Sequence, residues 1–279
     1  MKSILVPVEV IDAMKPALEI ALLLGRRCGA YIEGFPLRFG IREFANADLS
    51  GSFPAEIYRQ HGVEEAAQAR KLFESFMEEH EVPRASGSSS GLSFGWLDDT
   101  PEGEDVVGSY GRVFDVTVLS RPNANSVGLH TRAIESGLFE SGRPILLSPP
   151  VAPQQIATNI MIHWNGSTEQ ARANAFALPL LQLAERVTVL TVIGGQGVPG
   201  PSANQLLKQL RWSGVAARPM NVELGGHSTG EAILAAAKAE GCDLLVKGAF
   251  TRNRLRQMIF GGATSHIMAH AELPVLMAH

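Results

Sequence analysis

Three groups of residues in this chain have types and spacings that could do chemistry. The first is a glycine-rich stretch, Gly248-Ala249-Phe250-Thr251, followed after nine residues by Gly261-Gly262. Small residues let backbone N–H groups come close to phosphate oxygens, and a helix starting just beyond them favours the negative charge. Arg252, Arg254 and Arg256 lie inside the stretch and can give charge-assisted hydrogen bonds to phosphates, although a solvated basic run is the plainer reading. The second group is His266 and His270, four residues apart and so on one helical face. That spacing occurs in zinc sites, but no third ligand is visible, and chance pairing among eight histidines explains it better. The third is the acidic set Asp98, Asp99, Glu102, Glu104 and Asp105 around Thr100-Pro101, which reads first as negative charge at a helix N-terminus. No nucleophile elbow, Walker A loop, zinc-protease helix or paired catalytic carboxylate stands out.

The elements that must position these groups repeat with a long period. Ser3-Ile4-Leu5-Val6-Pro7-Val8-Glu9 is almost continuously apolar, the pattern of a strand covered on both faces. Asp12 and a helical pattern through Ala17, Leu18, Ala21, Leu22 and Leu24 follow, ending near Gly25 and Gly29. The layout recurs from Asn159: an apolar run to Trp164-Asn165, then Ser167, then Ala171, Ala175, Leu178 and Leu181. Ser167 with Gln170 reads as a capping box, as does Ser228 with Glu231. Val113–Leu119 matches Cys242–Lys247, and both halves close on a short apolar strand after a proline, at Ile145–Leu147 and Val275–Met277. Strands alternating with helices argue for parallel sheets. Pro149 to Gln155 is the linker. Pro7 must lie where a missing donor costs little. The halves differ between residues 36 and 60, where the first carries a long segment with several phenylalanines, either a lid or a packed excursion.

Composition limits the function classes. The 279 residues are 45% hydrophobic and 19% charged, the balance of a well-packed globule with room for two domains. A net charge of −4 gives no general attraction to nucleic acid or an anionic membrane. No apolar run approaches the roughly 18 residues of a membrane span, and the broken apolar start is not a signal peptide. Cys28 and Cys242, one in each half, read first as two free buried thiols of a reducing compartment, with a disulfide between them as the other reading.

The whole pattern resembles a tandem universal stress protein, two domains of that family in one chain. The residues that carry the resemblance are the Ile4-to-Asp12 opening, the Ile160-to-Ser167 opening with its Trp164-Asn165-Gly166-Ser167, and the closing segment Val246 to Met277. It implies an α/β chain of two tandem domains, 1–149 and 156–279. Each would be an open five-stranded parallel sheet flanked by helices, of the adenine nucleotide alpha hydrolase-like kind. Nucleotide-binding members carry a loop G-x2-G-x9-G-[ST] after the fourth strand. Here Gly248 and Gly261 keep two of the glycines, Thr251 adds a Cβ at the second, and Gly262 takes the hydroxyl position, with Thr264 two residues on. The resemblance implies ATP or another adenine nucleotide held by Asn165 and Val192 at its adenine–ribose end. Lys247, Gly248, Thr251, Arg252, Gly261, Gly262 and Ala263 would hold the phosphates. In the first half Glu9 keeps the acidic position, but Ser120-Arg121-Pro122-Asn123 and the region of Thr131 and Arg132 lack the glycines, so that half reads as a degenerate copy. The expected function is cytoplasmic nucleotide binding or sensing in stress response, with slow ATP hydrolysis as the most catalysis to expect. Three rivals stand beside it: a ligand-free interaction module working through homodimers or other protein partners, an ATP-activating ligase, and a lipophilic-ligand binder using residues 36–60.

Overall fold

The computed structural model describes residues 1–38, 55–86, 91–101, 103, 105–122, 129–195, 197–250 and 262–279. The chain divides into two compact units, Met1–Arg143 and Pro144–His279. The first contains strands β1 (Ser3–Val8), β2 (Tyr31–Pro36), β3 (Ser93–Trp96) and β4 (Val116–Leu119). Between and after them run helices α1 (Met14–Cys28), α2 (Ala55–Glu79), α3 (Asp105–Gly111) and α4 (Leu129–Glu140). The strand order is β3-β2-β1-β4, all parallel. The apolar run of β1 is buried because helices cover both faces of the sheet, as its unbroken hydrophobicity implies. The β1–β4 ladder ends at Leu5↔Thr117, so the missing N–H of Pro7 falls beyond it.

Two glycines show how close this packing is. A Cβ at Gly34 would lie 2.9 Å from the Phe73 ring, so β2 and α2 approach each other only because that position is bare. Gly29, with φ +55°, ends α1 in the left-handed region. Gly25, by contrast, lies inside the helix against Ile32, so the helix runs past it. Phe73 meets Phe94 edge-on at 5.9 Å, at the heart of this core. Of the aromatic 36–60 segment, residues 39–54 lie outside the described residues.

The second unit contains β5 (Ile145–Leu147), β6 (Asn159–His163), β7 (Arg186–Ile193), β8 (Ala217–Glu223), β9 (Leu244–Gly248) and β10 (Val275–Ala278). Its helices are α5 (Thr168–Leu181), α6 (Ala203–Trp212), α7 (Thr229–Ala239) and α8 (Ala263–His270). The order is β5-β10-β9-β6-β7-β8. Strands β6 to β10 are mutually parallel, while β5 pairs antiparallel with β10 through Val275↔Leu147 and Met277↔Ile145. The fold is therefore mixed α/β with mostly parallel sheets flanked by helices, as expected, and the β5–β10 pair is its one antiparallel pairing among the described residues. Cys28 and Cys242 are free thiols. Burial raises the pKa of both, Cys242 to about 11, so neither is poised as a nucleophile.

Candidate functional site

In the second unit β6 runs on to β7 on one side of the sheet and pairs with β9 on the other, which makes the carboxyl end of β6 a topological switch point. Open α/β sheets place ligands there. A cavity of about 410 Å³ opens over the ends of β6 and β7, walled by the 197–204 turn into α6 and by Pro219 and Asn221 of β8. Asn165 and Val192, expected at the adenine–ribose end of a ligand, both line it. Local chemistry shapes its wall. Trp164 Nε1 donates to Pro201 O at 2.8 Å, and Val198 N donates to Asn165 O at 3.0 Å, pinning the turn to the strand end. Asn165 Oδ1 accepts from Ser167 N at 3.2 Å, which starts the turn into α5. Gly166, with φ +77°, lies where a Cβ would meet Val198 O at 2.8 Å, so only glycine fits between the two loops.

The head of the glycine-rich stretch is built differently from a bare phosphate cradle. Gly248 N donates to Gln170 Oε1 at 2.7 Å, Ala249 N to Ala278 O at 2.8 Å, and Phe250 N to Thr264 Oγ1 at 3.4 Å. Lys247 Nζ donates to Gly248 O at 2.7 Å and Thr264 Oγ1 at 3.0 Å. A Cβ on Gly248 would fall 2.4 Å from Gln170 N, so this glycine admits the first turn of α5 against β9. Gln170 is 0% exposed. Ser167 Oγ accepts from Gln170 N at 3.1 Å, as the capping-box reading requires, but the Gln170 side chain does not reach back to the N-cap. It turns inward instead, its Nε2 donating to Asn174 Oδ1 at 2.8 Å. Gly262 is the N-cap of α8 and Ala263 its first residue. Thr251, Arg252 and Gly261, with Arg254 and Arg256, lie outside the described residues.

Electrostatics at the strand ends follow burial. His163 is 3% exposed, and desolvation, helped by the Lys247 charge, pushes its pKa down to about 3, so the ring is neutral near neutrality. Desolvation also lowers Lys247 to about 8, against a small opposing pull from Glu169.

The first unit has its own cluster at the equivalent switch point, and sequence reading missed its central residue. His130, 4% exposed at the start of α4, places Nδ1 2.7 Å from Glu9 Oε1 and Nε2 2.8 Å from Ser120 O. Burial alone would lower its pKa, but the Glu9 hydrogen bond and charge, with the Ser120 carbonyl, outweigh it and raise the value. With an acceptor at each nitrogen, the protonated ring can donate to both and so ties the end of β1 to the end of β4. The only sequence signal was the replacement of glycines by Thr131 and Arg132 beside it. Elsewhere, Ser228 and Glu231 form the expected reciprocal cap, with Ser228 N donating to Glu231 Oε2 at 2.7 Å. The His266 and His270 rings stack at 4.3 Å, and among the described residues no group of three or more His, Cys, Asp or Glu is placed to hold a metal. Asp98 pairs with Arg70 at 2.6 Å, and Asp105 lies in the first turn of α3. Among the described residues no helix is long and apolar enough to cross a membrane.

Mostly parallel sheets with helices on their faces and a cavity at a switch point define an open-sheet α/β protein. Within it, residues 157–279 match the model of the universal stress protein family, so the second half carries a universal stress protein domain. A universal stress protein from Archaeoglobus fulgidus DSM 4304 superposes with TM-score 0.73 at 12% identity, covering 99% of this chain and 95% of that one. A protein from Pseudomonas aeruginosa UCBPP-PA14 gives TM-score 0.55 at 15% identity, covering 100% and 93%. At such identities the likeness is one of fold, and it extends over the first half as well. No curated protein matches the chain.

Proposed function

We propose that this chain is a cytoplasmic stress-response protein that binds an adenine nucleotide in its second unit, over the ends of β6 and β7. The observation that carries this reading is the meeting of Asn165 and Val192 on one cavity at the switch point of a universal stress protein domain. In this reading the base and ribose lie against Asn165 and Val192. Any phosphates point toward the 247–263 stretch, where Lys247, Gly248, Thr251, Arg252, Gly261, Gly262 and Ala263 are the groups to consider. The first unit is a structural copy, its crevice bridged by His130. Catalysis has weak support: among the described residues lining the cavity, the one titratable side chain is His163, too weak a base at a pKa of about 3 to activate water.

The test is calorimetric titration and thermal melting of the full chain with adenosine, AMP, ADP and ATP. A bound ligand at one hundred times its Kd stabilises the fold by about 2.7 kcal/mol, a shift any melting experiment reads. Val192→Trp, which fills the cavity, should abolish the shift. No heat and no stabilisation from any member of the series would leave the interaction-module reading in its place.

A further inference from the structure

We infer that the second unit carries a further small-molecule site, remote from the switch point, and that this site takes a free amino acid with an apolar side chain. The place is a cavity of about 380 Å³ at the other end of the sheet, where α7 and α8 finish and β9 and β10 begin. Its size is within the range of roughly 300–1,000 Å³ typical of small-molecule pockets. It shares no lining residue with the cavity over β6 and β7, so the inference stands apart from the nucleotide reading.

Part of the lining is apolar. Leu234 of α7, Cys242 and Leu273 all border the cavity, and all three are half-buried. Cys242 is carried there by a tight helix ending. Gly241, at φ +62°, donates its N–H to Lys238 O at 3.1 Å, and Cys242 N donates to Ala237 O at 2.9 Å. Burial pushes the Cys242 thiol up to about 11, so near neutrality it is uncharged and acts as a small apolar surface. An aliphatic or thioether side chain suits such a wall, since their contact removes apolar surface of both from water.

The rest of the lining bears both signs of charge. Lys238, in the last turn of α7, and Glu272, between α8 and β10, meet through Nζ and Oε2 at 3.0 Å. Their side chains are 79% and 75% exposed, so the pair is held weakly and parts at little cost. An amino acid carries a carboxylate and an ammonium on one carbon, the counterparts of these two charges. Placed between the pair, its carboxylate accepts from Lys238 and its ammonium donates to Glu272, so one exposed ion pair becomes two charge-assisted contacts. The last turns of α7 and α8 both border the cavity, and the negative partial charge at helix C-termini favours the ammonium end. His270 completes this side, its ring fixed by Nδ1 donating to His266 O at 2.9 Å. A ligand with a single charge would part the pair and leave Lys238 or Glu272 without a counter-charge.

Cys242 reports occupancy directly. The full chain is treated with N-ethylmaleimide at about pH 7, where an α-amino group is mostly protonated, and alkylation is followed at each cysteine by peptide mass spectrometry. Leucine and methionine should slow the alkylation of Cys242 at least about fivefold at saturation. Half the effect should come near about 1 mM, the affinity that one small side chain and two exposed ion pairs support. The rate at buried Cys28, in the other unit, should not change. Glycine, lacking the side chain, should not protect. Leucinamide and N-acetylleucine, each lacking one charge, should need about five to ten times the concentration. Lys238→Met, a change at an exposed position, should bring leucine down to the level of leucinamide. Leucinamide or N-acetylleucine protecting as well as leucine would overturn the assignment to an amino acid. No slowing by leucine or methionine, or equal slowing at Cys28, would overturn the site itself, and neither result bears on nucleotide binding.

Discussion

At the scale of single residues, His130 carries the clearest electrostatic consequence. Its folded pKa is raised, so the stability it contributes is present in full below the unfolded histidine value of about 6.5 and is lost as pH rises through the folded value. His163 works in the opposite sense: its folded pKa is depressed to about 3, so its contribution is present above about 6.5 and lost as pH falls. Whole-protein pH curves mix the two, but the difference between wild type and His130→Gln isolates the first. We expect the variant's deficit in Tm to be largest near about pH 5.5 and to shrink steadily toward about pH 9. A deficit that stays constant across that range would mean that His130 acts by packing and not by charge. No local pattern reveals this residue, because its carboxylate partner Glu9 lies 121 positions away and only folding brings them within 2.7 Å.

At the scale of elements, the junction of α5 with β9 is the most exacting. Gly248→Ala would force backbone atoms of Glu169 and Gln170 away from positions 2.6 Å and 2.4 Å from the new methyl. It would also disturb the Gly248 N to Gln170 Oε1 bond. Overpacking against backbone costs about 2–3 kcal/mol, so chemical denaturation should show a drop of that size. A loss under about 0.5 kcal/mol, the range of neutral surface changes, would mean that α5 shifts freely. A milder case is Ser228→Ala, where loss of the α7 cap should cost about 1 kcal/mol. These two helix starts also show what sequence could tell. Ser-x-x-Glu at 228–231 read correctly because the cap is closed within its own turn. Ser-x-x-Gln at 167–170 read half correctly: the hydroxyl cap is local, but the Gln170 side chain answers to a strand 78 residues away. Likewise, the apolar runs of β1 and β6 announced buried strands. Nothing in Ile145–Leu147 could announce that it would pair antiparallel with β10, since period and hydrophobicity do not encode strand direction.

At the scale of the whole molecule, two compact units of one architectural class carry unlike switch points. In the first, His130 links the ends of β1 and β4. In the second, the ends of β6 and β7 border a cavity lined by Asn165 and Val192. A ligand that binds the second should therefore protect that unit's backbone and leave the first as it was. Amide hydrogen exchange on the full chain reads this directly, since opening of a segment is suppressed by whatever binds its closed form. With saturating adenosine we expect slower exchange in 163–166, 191–195, 197–198 and 202–204, beside the cavity, and unchanged exchange in 3–9 and 116–120. Equal protection at both switch points would mean that the His130 link opens for ligand and that the first unit is a second binding site. Slowing confined to the first unit would place the site on the wrong half altogether. If His130→Gln then adds ligand-dependent protection at 3–9 without changing that at 163–166, the histidine itself is what closes the first crevice, and a single side chain separates a binding unit from a structural one.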